Sequence, residues 1–135
     1  MFLEMLKDNQ KELFLQLAIM AAKANGKIEA AEHEMLIKFA DEMHIEPIAD
    51  SEKSFDELID EMVGVCGKPE KKIILFETVG IMNSDGDFDE NETEFLSKIA
   101  SKFEISNEEL EYMMELVTAY IDVFTEIVNT VIEEE

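Results

Sequence analysis

Apolar residues recur at intervals of three and four along almost the whole chain and do not alternate with polar ones, which is the spacing of amphipathic helices. The pattern predicts a first helix from about Asp8 to Ala24, with Leu13, Leu17, Met20, Ala21 and Ala24 on one face, ended at Asn25-Gly26 by a left-handed glycine cap. A second helix carries Met35, Leu36, Phe39, Ala40 and Met43 and stops before Pro47. A third begins near Ser51 or Ser54, where Ser54 and Glu57 form a capping box, and runs through Leu58, Ile59, Met62 and Val63 until Gly64 and Gly67 close it. Pro69 suits the first turn of a fourth helix, whose Ile73, Ile74, Leu75, Phe76, Val79 and Met82 leave few polar sides. That places the fourth helix at the core, ending at Asp85-Gly86. Asp89 with Glu92 opens a fifth helix through Phe95, Leu96, Ile99, Ala100 and Phe103, and Ser106 with Glu109 opens the last. No Gly or Pro interrupts the last helix before Glu133, so it could reach about 40 Å.

An internal repeat emerges at an offset of sixty residues: 25–45 laid over 85–105 match at Gly26/Gly86, Glu32/Glu92, Leu36/Leu96, Lys38/Lys98, Ala40/Ala100 and Ile45/Ile105. The matches keep helical spacing and include the turn glycine, so duplication explains them better than chance between two amphipathic helices. The expected fold is therefore all-α, a six- to seven-helix bundle in a single domain over 1–135, built from two pseudo-symmetric three-helix halves, 8–66 and 68–135.

The chain's 135 residues suit one domain, and a hydrophobic share of 47% is enough for a core. The charge balance narrows the choice of partners. With 33 acidic against 11 basic residues, the net charge of -22 repels nucleic acid and anionic membrane and favours cations or basic proteins. A single cysteine, Cys66, gives no internal disulfide, and no Cys/His cluster suggests zinc. Glu4 and Lys7 break up the opening apolar residues, and the longest apolar run, Leu17 to Ala22, is far short of a membrane span. A soluble cytoplasmic protein is expected.

Candidate chemistry concentrates in the second turn, Asn83-Ser84-Asp85-Gly86-Asp87-Phe88-Asp89-Glu90-Asn91-Glu92. Set against an EF-hand loop it has the central glycine and the final glutamate, but Ile81 stands where the first ligand belongs. Helix capping by Asp89 and Glu92 with solvated Asp85 and Asp87 outweighs a metal site. If metal binds there, the all-oxygen set of Asp85, Asp87, Asp89 and Glu92 selects Ca2+ or Mg2+ over zinc, and weakly. In the first turn Lys27 stands where Asp87 stands in the second, which leaves Glu32 as a lesser candidate. Catalysis is not expected. Asp41 and His44 supply one acid-x-x-His element where a di-iron bundle needs two, and both His33 and His44 read as helix-surface residues. Cys66 has no neighbouring base, and there is neither a Gly-x-Ser-x-Gly turn nor a phosphate-binding glycine loop.

The two turns, Ala21-Ala22-Lys23-Ala24-Asn25-Gly26-Lys27-Ile28 with Glu32 following and Ser84-Asp85-Gly86-Asp87-Phe88-Asp89 with Glu92 following, resemble those of the tellurite-resistance TerB-like family over roughly residues 10 to 110. The resemblance implies a helical bundle of two related halves. It also implies a divalent-metal role for the matching acids Asp85, Asp87, Glu92 and Glu32. Asn25 departs from the usual aspartate of the first turn. Similar domains form the amino-terminal part of some J-domain co-chaperones, which implies an adaptor without metal as the alternative. Either way a small non-catalytic accessory protein linked to stress or tellurite resistance is expected.

On the last helix Leu110, Val117, Phe124 and Val131 recur every seven residues, flanked by Met113, Tyr120 and Ile127 and by Met114, Ile121 and Val128. Beyond about Asp122 this helix should outrun its neighbours. Phe124, Ile127, Val128 and Val131 are then expected to meet a protein partner or a weak homodimer that strengthens with salt.

Overall fold

A computed structural model describes residues 2–24, 29–48, 53–83 and 88–132, with the backbone alone for 29–32. The described residues form a 3-10 turn, Leu3–Met5, followed by six α-helices: α1 (Asp8–Ala24), α2 (Glu29–Met43), α3 (Phe55–Val65), α4 (Lys68–Met82), α5 (Glu90–Lys102) and α6 (Asn107–Val131). No strand occurs among the described residues. The fold is an all-α bundle, and no described helix is long and apolar enough to cross a membrane.

Side chains start the helices as the sequence suggests. Ser54 Oγ accepts from the Glu57 amide at 3.2 Å while Glu57 Oε1 accepts from the Ser54 amide at 2.9 Å. Asp89 and Glu92 make the same reciprocal pair, both bonds at 2.8 Å, and Ser106 Oγ accepts from the Glu109 amide at 3.1 Å. Two ends differ from expectation. Gly64 lies inside α3, which continues to Val65 with Cys66 as its C-cap, so Gly67 does not close α3 but stands as the N-cap of α4. At Gly67 the Glu70 carboxylate accepts from the backbone amide at 2.7 Å, the half of a capping box that a glycine N-cap can make. α4 ends at Met82 with Asn83 as C-cap; the expected stop at Asp85-Gly86 and the cap at Asn25-Gly26 lie outside the described residues.

The core is organised by α1. Leu13, Phe14, Leu15, Leu17, Ala18 and Ile19 are all buried, so this helix is covered over most of its circumference, and the arc of Asp8, Glu12, Gln16, Met20 and Lys23 reaches the surface. It packs against α2, α3, α4 and α5. α4, placed at the core from its composition, packs against α1, α5 and α6, but Gly80 is exposed and Ile73 and Phe76 are half-buried. Ring pairs tie the layers together. Phe14 of α1 meets Phe39 of α2 edge to face at 5.4 Å, and Phe55 of α3 meets Phe95 of α5 at 5.2 Å. Buried Gln10 adds a polar bridge, accepting from the Lys7 amide and donating to the Val65 carbonyl, both at 2.8 Å.

Candidate functional site

Of the acids singled out from the sequence, Asp85 and Asp87 and the side chain of Glu32 lie outside the described residues. Asp89 and Glu92 are brought together, but by capping. Asp89 is exposed, whereas Glu92 is 3% exposed, and each accepts from the other's backbone amide. Among the described residues no group of three or more His, Cys, Asp or Glu side chains converges as a metal site would require. One polar atom at this corner stands out. Asn83, fully buried at the end of α4, donates from Nδ2 to Thr118 Oγ1 of α6 at 2.9 Å, and its Oδ1 has no hydrogen-bond partner.

The two histidines do not converge. His33 is exposed on α2; His44 lies past the end of that helix rather than on its surface, at φ 60°, with Nε2 3.8 Å from Glu4 Oε2. Cys66 is buried, and burial pushes its thiol pKa up, which disfavours the thiolate a nucleophile needs.

An extended apolar surface follows α6. The helix is 25 residues long, but its last buried residue is Val117. From Asp122 to Ile132 only Val128 is even half-buried, while Phe124, Ile127 and Val131 are 54%, 51% and 69% exposed. Those residues therefore lie on an uncovered overhang of roughly 15 Å. Phe124 stacks on Tyr120 where the overhang begins, 6.3 Å between centroids.

The overhang continues into a groove that the sequence did not reveal. Between the 3-10 turn, α4 and α6 lies a cleft of about 450 Å³ bordered by Phe2, Met5, Ile73, Phe76, Tyr112 and Leu116. Beside it a smaller one of about 240 Å³ is bordered by Phe76, Gly80, Tyr120 and Ile121. The 3-10 turn is pinned as one wall, since the Phe2 amide donates to Glu77 Oε2 at 2.7 Å and the Phe2 ring meets Phe76 at 6.0 Å. Lys72 and Glu109 pair across one end at 2.8 Å. The missed signal was the row Tyr112, Leu116, Tyr120, four residues apart and offset from the core-facing Leu110, Met113 and Val117.

On α6 every residue within the arc that holds this row, the overhang stripe and the core contacts is apolar from Tyr112 onward, apart from Thr130. Glu111, Glu115, Asp122 and Glu126 share the opposite arc. The charges that border the groove are already engaged, Glu109 with Lys72 and Glu77 with the Phe2 amide, so the surface can bury apolar area without leaving a charge unpaired. No family model, curated protein or solved structure matches the chain.

Proposed function

We propose that this chain is a small non-catalytic accessory protein of the cytoplasm, of TerB-like kind, that acts by protein association through α6 and the groove beside it. The observation that carries the reading is the uncovered half of α6. A helix of some ten residues is marginal in water without tertiary support, and this one exposes Val123, Phe124, Ile127 and Val131. An apolar strip of that length on a chain of net charge -22 is the mark of a binding surface. The test compares what the parent and Phe124→Ser/Ile127→Ser proteins hold in native extracts, a second copy of the chain included. Species held by the parent and released by the variant support the reading; identical retention overturns it.

Asn83 favours a second reading, a weak site for Ca2+ or Mg2+ at the turn that follows α4. A buried amide oxygen with no donor is the kind of group a hard cation accepts as ligand, and it directly precedes Ser84, Asp85, Gly86 and Asp87 in the chain. Asp89 and Glu92 are already bonded to backbone amides, so affinity should be poor, on the order of 10⁻⁴ to 10⁻³ M. Calcium should then raise the melting temperature in moderate monovalent salt, and Asp85→Asn with Asp87→Asn should abolish the rise. A double variant that responds like the parent eliminates this reading.

A further inference from the structure

We infer that the occupant of the α6 surface is a second copy of this chain, the two α6 helices lying antiparallel about a twofold axis near Tyr120. The inference rests on the association reading above and names its partner. It starts from two incomplete halves on one helix. From Glu109 to Ile121, α6 forms one wall of an apolar groove about 18 Å long that holds no helix. From Asp122 to Ile132 it carries an apolar stripe about 15 Å long that no described residue covers. An antiparallel pair lays each overhang into the other copy's groove, setting Phe124 over Leu116 and Ile127 over Tyr112 and Met113. Both halves are completed at once, and the contact is closed and self-complementary.

The area and the charges agree with this occupant. The exposed apolar side chains along the line, from Phe2 and Met5 through Tyr112 and Leu116 to Phe124 and Val131, are each between 41% and 69% exposed. Together with their neighbours they offer on the order of 800 Å² a copy, the size of a standard interface. The stacked pair of Tyr120 and Phe124 falls at the centre, where aromatic anchors carry most binding energy. A foreign basic helix suits the net charge of -22 but not its placement. Glu111, Glu115, Asp122 and Glu126 sit on the arc away from the stripe, and the acids that line the groove already have partners, Glu109 in Lys72 and Glu77 in the Phe2 amide, so lysines flanking a helix seated there would find little to pair with. The same placement keeps these carboxylates out of the twofold contact. What remains against the dimer is long-range repulsion between two acidic chains, which salt screens.

Sedimentation of the full chain tests this. The parent should pass from monomer to dimer with rising concentration, and concentrated sodium chloride should increase the dimer fraction. Phe124→Ser with Ile127→Ser, both at exposed positions, should keep the parent's melting temperature where both are dilute monomers and weaken the dimer by about tenfold or more. In a Cys66→Ala background, Tyr120→Cys should join two copies through a thiol linker of about 8 Å, the spacing of packed helices. Val131→Cys should not, because an antiparallel pair holds those positions roughly 33 Å apart. Overturning results are a strict monomer at high concentration and high salt, a dimer indifferent to the double variant, or linkage at Val131→Cys as ready as at Tyr120→Cys. A strict monomer that still holds a foreign protein, released by Phe124→Ser/Ile127→Ser, defeats the twofold pairing and leaves the association reading standing. A monomer that holds nothing defeats both.

Discussion

His44 and Glu104, sixty residues apart, end α2 and α5 with the same left-handed backbone, at φ 60° and 57°. Each is followed by an isoleucine whose amide reaches back into the last turn, Ile45 to the Ala40 carbonyl at 3.0 Å and Ile105 to the Ala100 carbonyl at 2.8 Å. The amides of His44 and Glu104 donate to Asp41 and Ser101 at 3.2 and 3.1 Å, which completes the same Schellman turn twice. Lysines cover the preceding carbonyls in both places: Lys11 donates to Met43 and Lys68 to Phe103 and Glu104. The two turns are themselves sixty residues apart, His44 against Glu104.

A side chain with a Cβ is strained at these two positions, and glycine is not. His44→Gly and Glu104→Gly are each expected to raise stability by about 1 kcal/mol in urea unfolding. Ala40 and Ala100 accept through the backbone, so neither change removes a hydrogen bond of the cap. A fall in stability at either site would show that the side chain contributes more than the backbone strain costs.

Helix starts were legible because an N-cap is local: Ser54 with Glu57, Asp89 with Glu92 and Ser106 with Glu109 each meet within three residues. The geometry of the helix stops was not. His44 and Glu104 adopt a backbone that glycine would have advertised, and Gly64 sits inside α3 where it reads as a terminator. Burial was legible only as periodicity. The stripe on α1 suggested one covered face, but Phe14, Leu15 and Ile19 are buried too because α1 packs against four helices. The overhang of α6 could be anticipated from helix length alone. The groove could not, since Phe2, Phe76 and Leu116 come from three elements whose meeting depends on tertiary packing.

The Ser54 cap should appear in the acid limb of stability. Hydrogen bonds from the Ser54 backbone amide and then its side chain hold the Glu57 carboxyl pKa below its ordinary value. A carboxyl with a depressed folded pKa stabilises above its unfolded pKa, and that contribution is lost as pH falls through the folded value. Glu57→Gln should therefore flatten this part of the acid limb, leaving the two proteins closest at the lowest pH. Ser54→Ala should cost about 1 kcal/mol, the usual loss for a serine cap. Equal pH profiles for parent and Glu57→Gln would contradict the assignment.

Gln10 links the start of α1 to the end of α3, and nothing in its polar sequence context marks it as buried. Replacing it with leucine removes both bonds and leaves the Lys7 amide and the Val65 carbonyl to find water. A loss of about 1 to 3 kcal/mol is expected. Gln10→Glu keeps an acceptor for the Lys7 amide but has no donor for Val65, so it should also destabilise, and acid should partly restore it by protonating the carboxylate.

Gly80 separates the groove from the fold that carries it. It lies inside α4, where glycine costs about 1 kcal/mol relative to alanine, and a Cβ there would meet nothing within 4 Å. No neighbour in the chain requires its small size, and it lines a cleft with Phe76, Tyr120 and Ile121. Gly80→Ala should stabilise the chain by about 1 kcal/mol in urea unfolding and leave self-association close to the parent's. Gly80→Leu should also be no less stable than the parent, since its side chain lies on apolar walls, but it occupies the seat of the incoming helix. Sedimentation should then show a weakened dimer in a chain whose melting temperature, read on the dilute monomer, has not fallen. If Gly80→Leu instead lowers the melting temperature, the cleft is closed in solution; if it associates as the parent does, the docking helix does not enter there.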